Sequence, residues 1–306
     1  MYRLPLRHRR AAFVELLYGN TLALAIFLVI GLIAPHLVRG KTPADLMKEA
    51  AAQYQLHHWD GAIADLTEAL KIDPRSKAIY LRLGDAKIMK KDYQGSIQYL
   101  SKAIEIDPES SGSFYLRGYA KVRIGEFEGA MTDYNEALLL NPNLAYALSD
   151  RGLLKRKMGD LTGAMADINS AIRIAPGDSR SFYSRGLVHD SRGEYREAIA
   201  DYTQSVILKP DDTVSLNNLA WMCATRPGLS DSDRTKALAY ANKACTLTHW
   251  KEPVFIDTLA AAYAAIGQYD DAIKWQLKYV EMAPGEPEGK ARLDLYQKHQ
   301  PYFQAL

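Results

Sequence analysis

A proline returns every 34 residues along this chain, at Pro74, Pro108, Pro142, Pro176 and Pro210. A glycine keeps step at Gly84, Gly118, Gly152 and Gly186, and an alanine at Ala62, Ala130, Ala164 and Ala198, with Ser96 in its place once. A fixed period of this length describes stacked supersecondary units rather than one closed core. Each unit then buries its apolar face only against its neighbours, and the stacked surface serves for binding more readily than for chemistry.

Counted from residue 43, each proline falls at position 32 of its unit, and the units span 43–76, 77–110, 111–144, 145–178 and 179–212. In the third unit Phe114, Gly118, Phe127, Ala130, Tyr134, Ala137 and Pro142 occupy positions 4, 8, 17, 20, 24, 27 and 32. Both halves carry apolar residues at helical spacing. Small residues at positions 8 and 20 predict a close approach of the two helices. Proline at position 32 predicts the end of the second helix, because its ring removes an amide donor and clashes with the preceding turn.

A sixth unit opens normally with Leu216, Leu219, Ala220 and Trp221 and is interrupted by Arg226-Pro227-Gly228-Leu229-Ser230-Asp231, a run that cannot continue a helix. Its second helix is expected to restart near 232–234, after an insertion of about five residues, and such an insertion is expected to lie on a contact surface. A seventh unit, from Pro253, recovers the pattern through Leu259, Ala260, Tyr263, Gly267, Tyr269, Ala272 and Pro284. Residues 287–299 read as a last helix, with Pro287 at its start and Pro301 beyond its end, covering the exposed face of the array.

The pattern resembles the tetratricopeptide repeat, whose 34-residue signature runs W/L-x-x-L-G-x-x-Y, then A-x-x-x-F, A and P. The resemblance covers residues 43–284 and implies an all-α fold: a right-handed solenoid of helix pairs, with the first helix of each pair lining a concave groove and the second lying outside. It also implies that positions 2, 5, 9, 12 and 13 of the first helix face the groove. On this chain those positions supply Tyr115, Tyr119 and Arg123, then Tyr146, Arg156 and Lys157, then Arg180 and Tyr183, and in the sixth unit Asn217 and Trp221. Tyrosine and arginine are enriched at binding hot spots, and asparagine can hydrogen-bond the backbone of an extended peptide. The alternative for the tyrosines is packing against the neighbouring first helix. The family's carboxylate-clamp pattern of lysines and asparagines is not clearly matched.

Comparison among the units singles out a second set. Arg117, Arg151 and Arg185 stand at position 7 of units three to five, and the same units carry Asp133, Asp167 and Asp201 at position 23. The second, sixth and seventh units have neither partner; only the first, with Glu49 and Asp65, breaks the rule. Co-occurrence predicts structural ion pairs between first and second helices, of one unit or of adjacent units, and a partly buried arginine–carboxylate fork fixes orientation more than it adds stability.

The N-terminus departs from the repeat. Arg3, Arg7, Arg9 and Arg10 lie in a basic segment, 1–15, ahead of an apolar stretch, 16–38, whose centre from Thr21 to Ala34 has no charge. That length of helix spans hydrocarbon. A cleaved signal peptide would also start basic and apolar, but no A-x-A site follows, and Val38-Arg39-Gly40 is a poor substitute. A single transmembrane signal anchor is therefore expected. The four leading arginines against Arg39 and Lys41 favour a cytoplasmic N-terminus. The solenoid would then stand on the non-cytoplasmic side, in the periplasm of a Gram-negative bacterium.

Charge and motifs exclude much. Residues 1–42 balance at +5 and the remainder at −3, with 32 basic against 35 acidic residues, so the array has no broad electrostatic footprint for nucleic acid. No G-x-S-x-G, Walker, H-E-x-x-H or C-x-x-C motif occurs. His57 and His58 are adjacent in sequence and do not form a metal pair. Cys223 and Cys245 are read as small buried residues, a bridge in an oxidising compartment being the alternative. No enzyme activity, cofactor, metal or small-molecule substrate is expected. The expected function is a membrane-anchored adaptor or scaffold binding protein segments in its groove. The alternative is a permanent structural or assembly subunit of a larger membrane complex, held by its span; residues 285–306 serve as cap and tail in either case.

Overall fold

The computed structural model describes residues 40–303. Among them are fifteen α-helices and no strand: α1 Pro43–Gln55, α2 Trp59–Ile72, α3 Lys77–Met89, α4 Tyr93–Ile106, α5 Ser111–Ile124, α6 Phe127–Leu140, α7 Ala145–Lys157, α8 Leu161–Ile174, α9 Ser179–Ser191, α10 Tyr195–Leu208, α11 Thr213–Thr225, α12 Asp231–Leu247, α13 Pro253–Ala265, α14 Tyr269–Met282 and α15 Pro287–Gln297. Odd and even helices pair within units. Each even helix then packs on the next odd one, and successive odd helices touch along the array, as α3 on α5, α7 on α9 and α11 on α13. No two even helices pack together comparably, so the odd helices form the inner, concave face.

The periodic proline acts one residue earlier than its own position. Helices α2, α4, α6, α8 and α10 stop two residues before it, and the residue between is extended: φ is −125° at Asp73, −136° at Asp107, −141° at Asn141, −131° at Ala175 and −135° at Lys209. The proline ring excludes the helical region for its predecessor. Within each unit the turn between helices needs a left-handed residue, supplied by Gly125, Gly159, Gly193 and Gly267. In the first two units His57 and Lys91 hold the same conformation, at φ 57° and 61°, without glycine's steric freedom.

The small residues allow the helices of a pair to touch. A Cβ added at Gly152 would stand 2.6 Å from Ile168 Cγ1 and 3.1 Å from the Ala164 carbonyl oxygen. Gly118 faces the Tyr134 ring and Gly186 the Tyr202 ring in the same way. Ala130, Ala164, Ala198, Tyr134, Ile168 and Tyr202 are all buried, so positions 8, 20 and 24 form the seam of each pair.

In the sixth unit α12 begins at Asp231, slightly ahead of the expected restart, because Ser230 and Asp233 cap it reciprocally. The interruption is also less free than its composition implies. Arg226 is only 7% exposed; its guanidinium pairs with Asp190 on α9 at 2.7 Å and lies over the Tyr195 ring at 4.8 Å. The first residue of the inserted segment therefore holds two units together. The last helix is two residues shorter than expected and ends before His299, which is left-handed. Both cysteines are free and buried, and burial pushes their thiols up to about 12 at Cys223 and about 11 at Cys245. The segment 16–38, expected to cross a membrane, lies outside the described residues; among the described residues no helix is long and apolar enough to do so.

Candidate binding groove

The arginines at position 7 lie along the seam of units three to five. Arg117 donates from Nε and Nη2 to Asp133 at 3.0 and 2.7 Å, Arg151 to Asp167 at 2.8 Å twice, and Arg185 to Asp201 at 2.8 and 2.7 Å. Each fork lies within one unit. The free Nη1 reaches back to the preceding second helix: to Ser101 Oγ at 3.2 Å, Asn135 Oδ1 at 2.8 Å and Asn169 Oδ1 at 2.9 Å. Lys121 and Lys155 reach Asp133 and Asp167, both at 2.8 Å. In the fifth unit His189 stands in the same place, with Nε2 3.6 Å from Asp201 and Nδ1 2.6 Å from Glu194. The residues at positions 11 and 25 escaped the sequence comparison because they vary in type.

A second set of bonds crosses the concave face, always from position 5 or thereabouts of one unit to position 6 of the next. The Tyr115 hydroxyl donates to Asp150 Oδ2 at 2.8 Å, Asn218 Nδ2 donates to the Tyr183 hydroxyl at 2.9 Å, and Arg292 of α15 forks onto Asp257 at 2.9 and 2.8 Å. Burial raises the Asp150 carboxyl, opposed by Arg180 and by the Tyr115 hydroxyl. Burial works against the Arg180 charge, but Asp150, Tyr115 and Asp178 together outweigh it and the guanidinium is held above its ordinary range. Arg156 donates to Ser191 Oγ at 3.1 Å, and Lys157 lies 4.3 Å over the Phe127 ring.

These contacts sort the expected groove residues. Tyr115 and Tyr146 meet edge to face at 4.5 Å, and Tyr115 stacks on Tyr134 at 6.0 Å, so both tyrosines belong largely to the packing between units. Tyr183 is tied to Asn218. Trp221 packs on the chain's own Tyr302 at 5.8 Å and under Arg292 at 5.5 Å, so the C-terminal segment already covers part of that ring. Asn217 is buried, with its Oδ1 unbonded, beside a cavity of about 320 Å³ that Trp221 and Arg292 also line.

What remains open is a cavity of about 390 Å³ on the concave face, where Tyr119, Arg123, Arg180 and the edge of Tyr115 converge. The structure adds Lys91, Tyr93 and the apolar Ile88, Met89 and Leu116 to its lining. Arg123 lies 5.4 Å over the Tyr93 ring and is exposed, as are Lys91 and Arg180. Lys91 was invisible as a groove residue because it sits in the turn, where the family's positions do not reach. A wider depression of about 460 Å³ lies between α6 and α7, but its Arg151 and Asn135 bond each other, leaving little chemistry. No cluster of three or more metal-ligating side chains occurs among the described residues.

Three family models match the chain contiguously, each described as tetratricopeptide repeat, over residues 47–111, 111–144 and 144–292. The chain is a tetratricopeptide repeat protein. Solved structures agree at the level of the fold. A tetratricopeptide repeat protein from Parabacteroides merdae superposes with a TM-score of 0.59 at 19% identity, covering 84% of this chain and 100% of that one. Pseudomonas aeruginosa pilF gives 0.63 at 18%, over 74% and 99%. The APC/C hetero-tetramer Cut9–Hcn1 gives 0.70 at 16%, over 89% of this chain and 52% of that one. At such identities the likeness shows the tetratricopeptide fold alone. No curated protein matches the sequence.

Proposed function

We propose that this tetratricopeptide repeat protein is a membrane-anchored adaptor that holds an extended segment of another protein in its concave groove. The observation that carries the reading is the open cavity at α3–α5 and α9, where Lys91, Arg123 and Arg180 are exposed beside a half-buried Tyr119 while most other concave side chains are bonded to neighbouring units. Arginine and tyrosine on a rigid concave scaffold are the groups that dominate protein interfaces. The array is held rigid by its own ladders, so it presents this surface with little ordering cost. The anchor rests on the sequence: an uncharged apolar stretch within 16–38 behind four arginines, which favours a cytoplasmic N-terminus and a solenoid on the other side of the membrane.

The test compares two variants of the full chain, extracted in mild detergent with whatever it holds. In one, Tyr119→Ala is combined with Arg123→Ala; in the other, residues 16–38 are exchanged for an unrelated membrane span. An adaptor loses its partner in the first variant and keeps it in the second. The reverse result would establish instead a fixed subunit whose span packs within a complex.

A further inference from the structure

We propose that the open cavity selects an acidic protein segment, one in which carboxylates alternate with aliphatic or aromatic side chains; this deepens the groove-binding reading above and rests on it. Three cations, Lys91, Arg123 and Arg180, border the cavity against one carboxylate at its rim, Asp85. No carboxylate stands within ion-pair distance of Lys91, Arg123 or Arg180 among the described residues, unlike Arg117, Arg151 and Arg185, which are each saturated. Arg180 is partly compensated, since Asp150 and Asp178 both act on its charge, Asp150 while accepting from the Tyr115 hydroxyl. Lys91 and Arg123, held on a concave wall without ion-pair partners, favour an anionic ligand, and a guanidinium laid over Tyr93 is pre-oriented to offer its fork to a carboxylate.

The floor of the cavity decides what kind of anion. Ile88, Met89 and Leu116 line the same cavity as the cations, and apolar surface beside charge fits the alternating side chains of an extended polypeptide. A nucleic acid would need a longer basic track, whereas residues 43–306 carry an excess of acidic groups. Beyond about 10 Å that excess is screened, so it does not oppose short-range pairing at the three cations. Lys91 stands in a left-handed turn conformation at φ 61°, which holds its stem at the rim.

Fluorescence anisotropy with the full chain tests this, using a labelled peptide of repeating Glu-Leu-Ser, its Gln-Leu-Ser counterpart and a labelled oligouridylate. The acidic peptide is expected to bind about tenfold or more tightly than the glutamine peptide, and to weaken with added salt. Arg123→Gln and Lys91→Gly should each weaken it several-fold, with Arg123→Lys losing less than Arg123→Gln because it keeps the charge but not the fork; Lys91→Gly fits the existing backbone, so loss there is not loss of fold. Equal binding of the two peptides, abolished by Tyr119→Ala, would overturn the acidic preference while leaving the groove reading intact. Oligouridylate binding as tight as the acidic peptide, or no peptide binding at all, would also overturn the proposal; whether the groove reading falls too is then read from the detergent experiment above.

Discussion

Arg151 shows how one side chain can tie three helices. Its guanidinium forks onto Asp167 of its own unit and reaches Asn135 of the unit before. Asp167 is buried, and a carboxylate left there without its arginine is poorly solvated. Arg151→Ala should therefore destabilise the protein by about 3 kcal/mol, somewhat softened by Lys155, which also reaches Asp167. The double replacement Arg151→Met with Asp167→Leu should cost much less, because it removes the charge and its partner together. Urea midpoints of the two variants check this; equal losses would mean that the fork itself, not the stranded carboxylate, sets the effect. The residue types at positions 7 and 23 announced this pair in the sequence, whereas the third contact to Ser101, Asn135 or Asn169 did not, because it depends on how far one unit rotates against the next.

Helix pairs are set by the absence of side chain as much as by its presence. Gly152 has Ile168 and the Ala164 carbonyl where a Cβ would go, and a backbone oxygen cannot rotate away. Gly152→Ala should destabilise by about 1–3 kcal/mol, whereas Gly112→Ala, with open space around it, should be neutral or stabilising; thermal unfolding distinguishes them. Helix starts add a pH dependence. The Asp92 carboxyl is held below its usual range by Lys87 and by the Gly95 amide, and Asp233 by Ser230. A carboxyl with a depressed folded pKa stabilises above its unfolded value and loses that contribution as pH falls through its folded one. Melting temperature should then drop as pH falls below about 4, and Asp92→Asn, which retains a capping group, should flatten part of that limb. The glycine seam was legible in the sequence because it is local and recurs every 34 residues, whereas the caps at Asp92 and Asp233 emerged only with the helix starts.

As a whole the molecule is an array whose ends are its weak points. Helix α15 closes the last unit: Tyr296 is buried against it and Arg292 neutralises Asp257, itself 5% exposed. Removing residues 285–306 should strand that carboxylate and bare the α13–α14 face, giving self-association visible in sedimentation velocity; a monodisperse truncated chain would show that the cap is dispensable. The same segment brings Tyr302 onto Trp221, which couples the end of the chain to the groove. By itself the sequence determined the all-helical array, the register of the regular units, the glycine and alanine seams and the pairing of arginine at position 7 with aspartate at position 23, because each of these repeats with the 34-residue period; that each fork closes within one unit was left to the structure. Only the tertiary structure decided which concave side chains are already occupied, Tyr115 by Asp150, Tyr183 by Asn218 and Trp221 by Tyr302, and which stay open, Tyr119, Arg123, Arg180 and Lys91. A period tells which positions share a face, but whether a polar or aromatic group there is satisfied depends on distances between units 35 or more residues apart, which the stacking angle sets and no single repeat encodes.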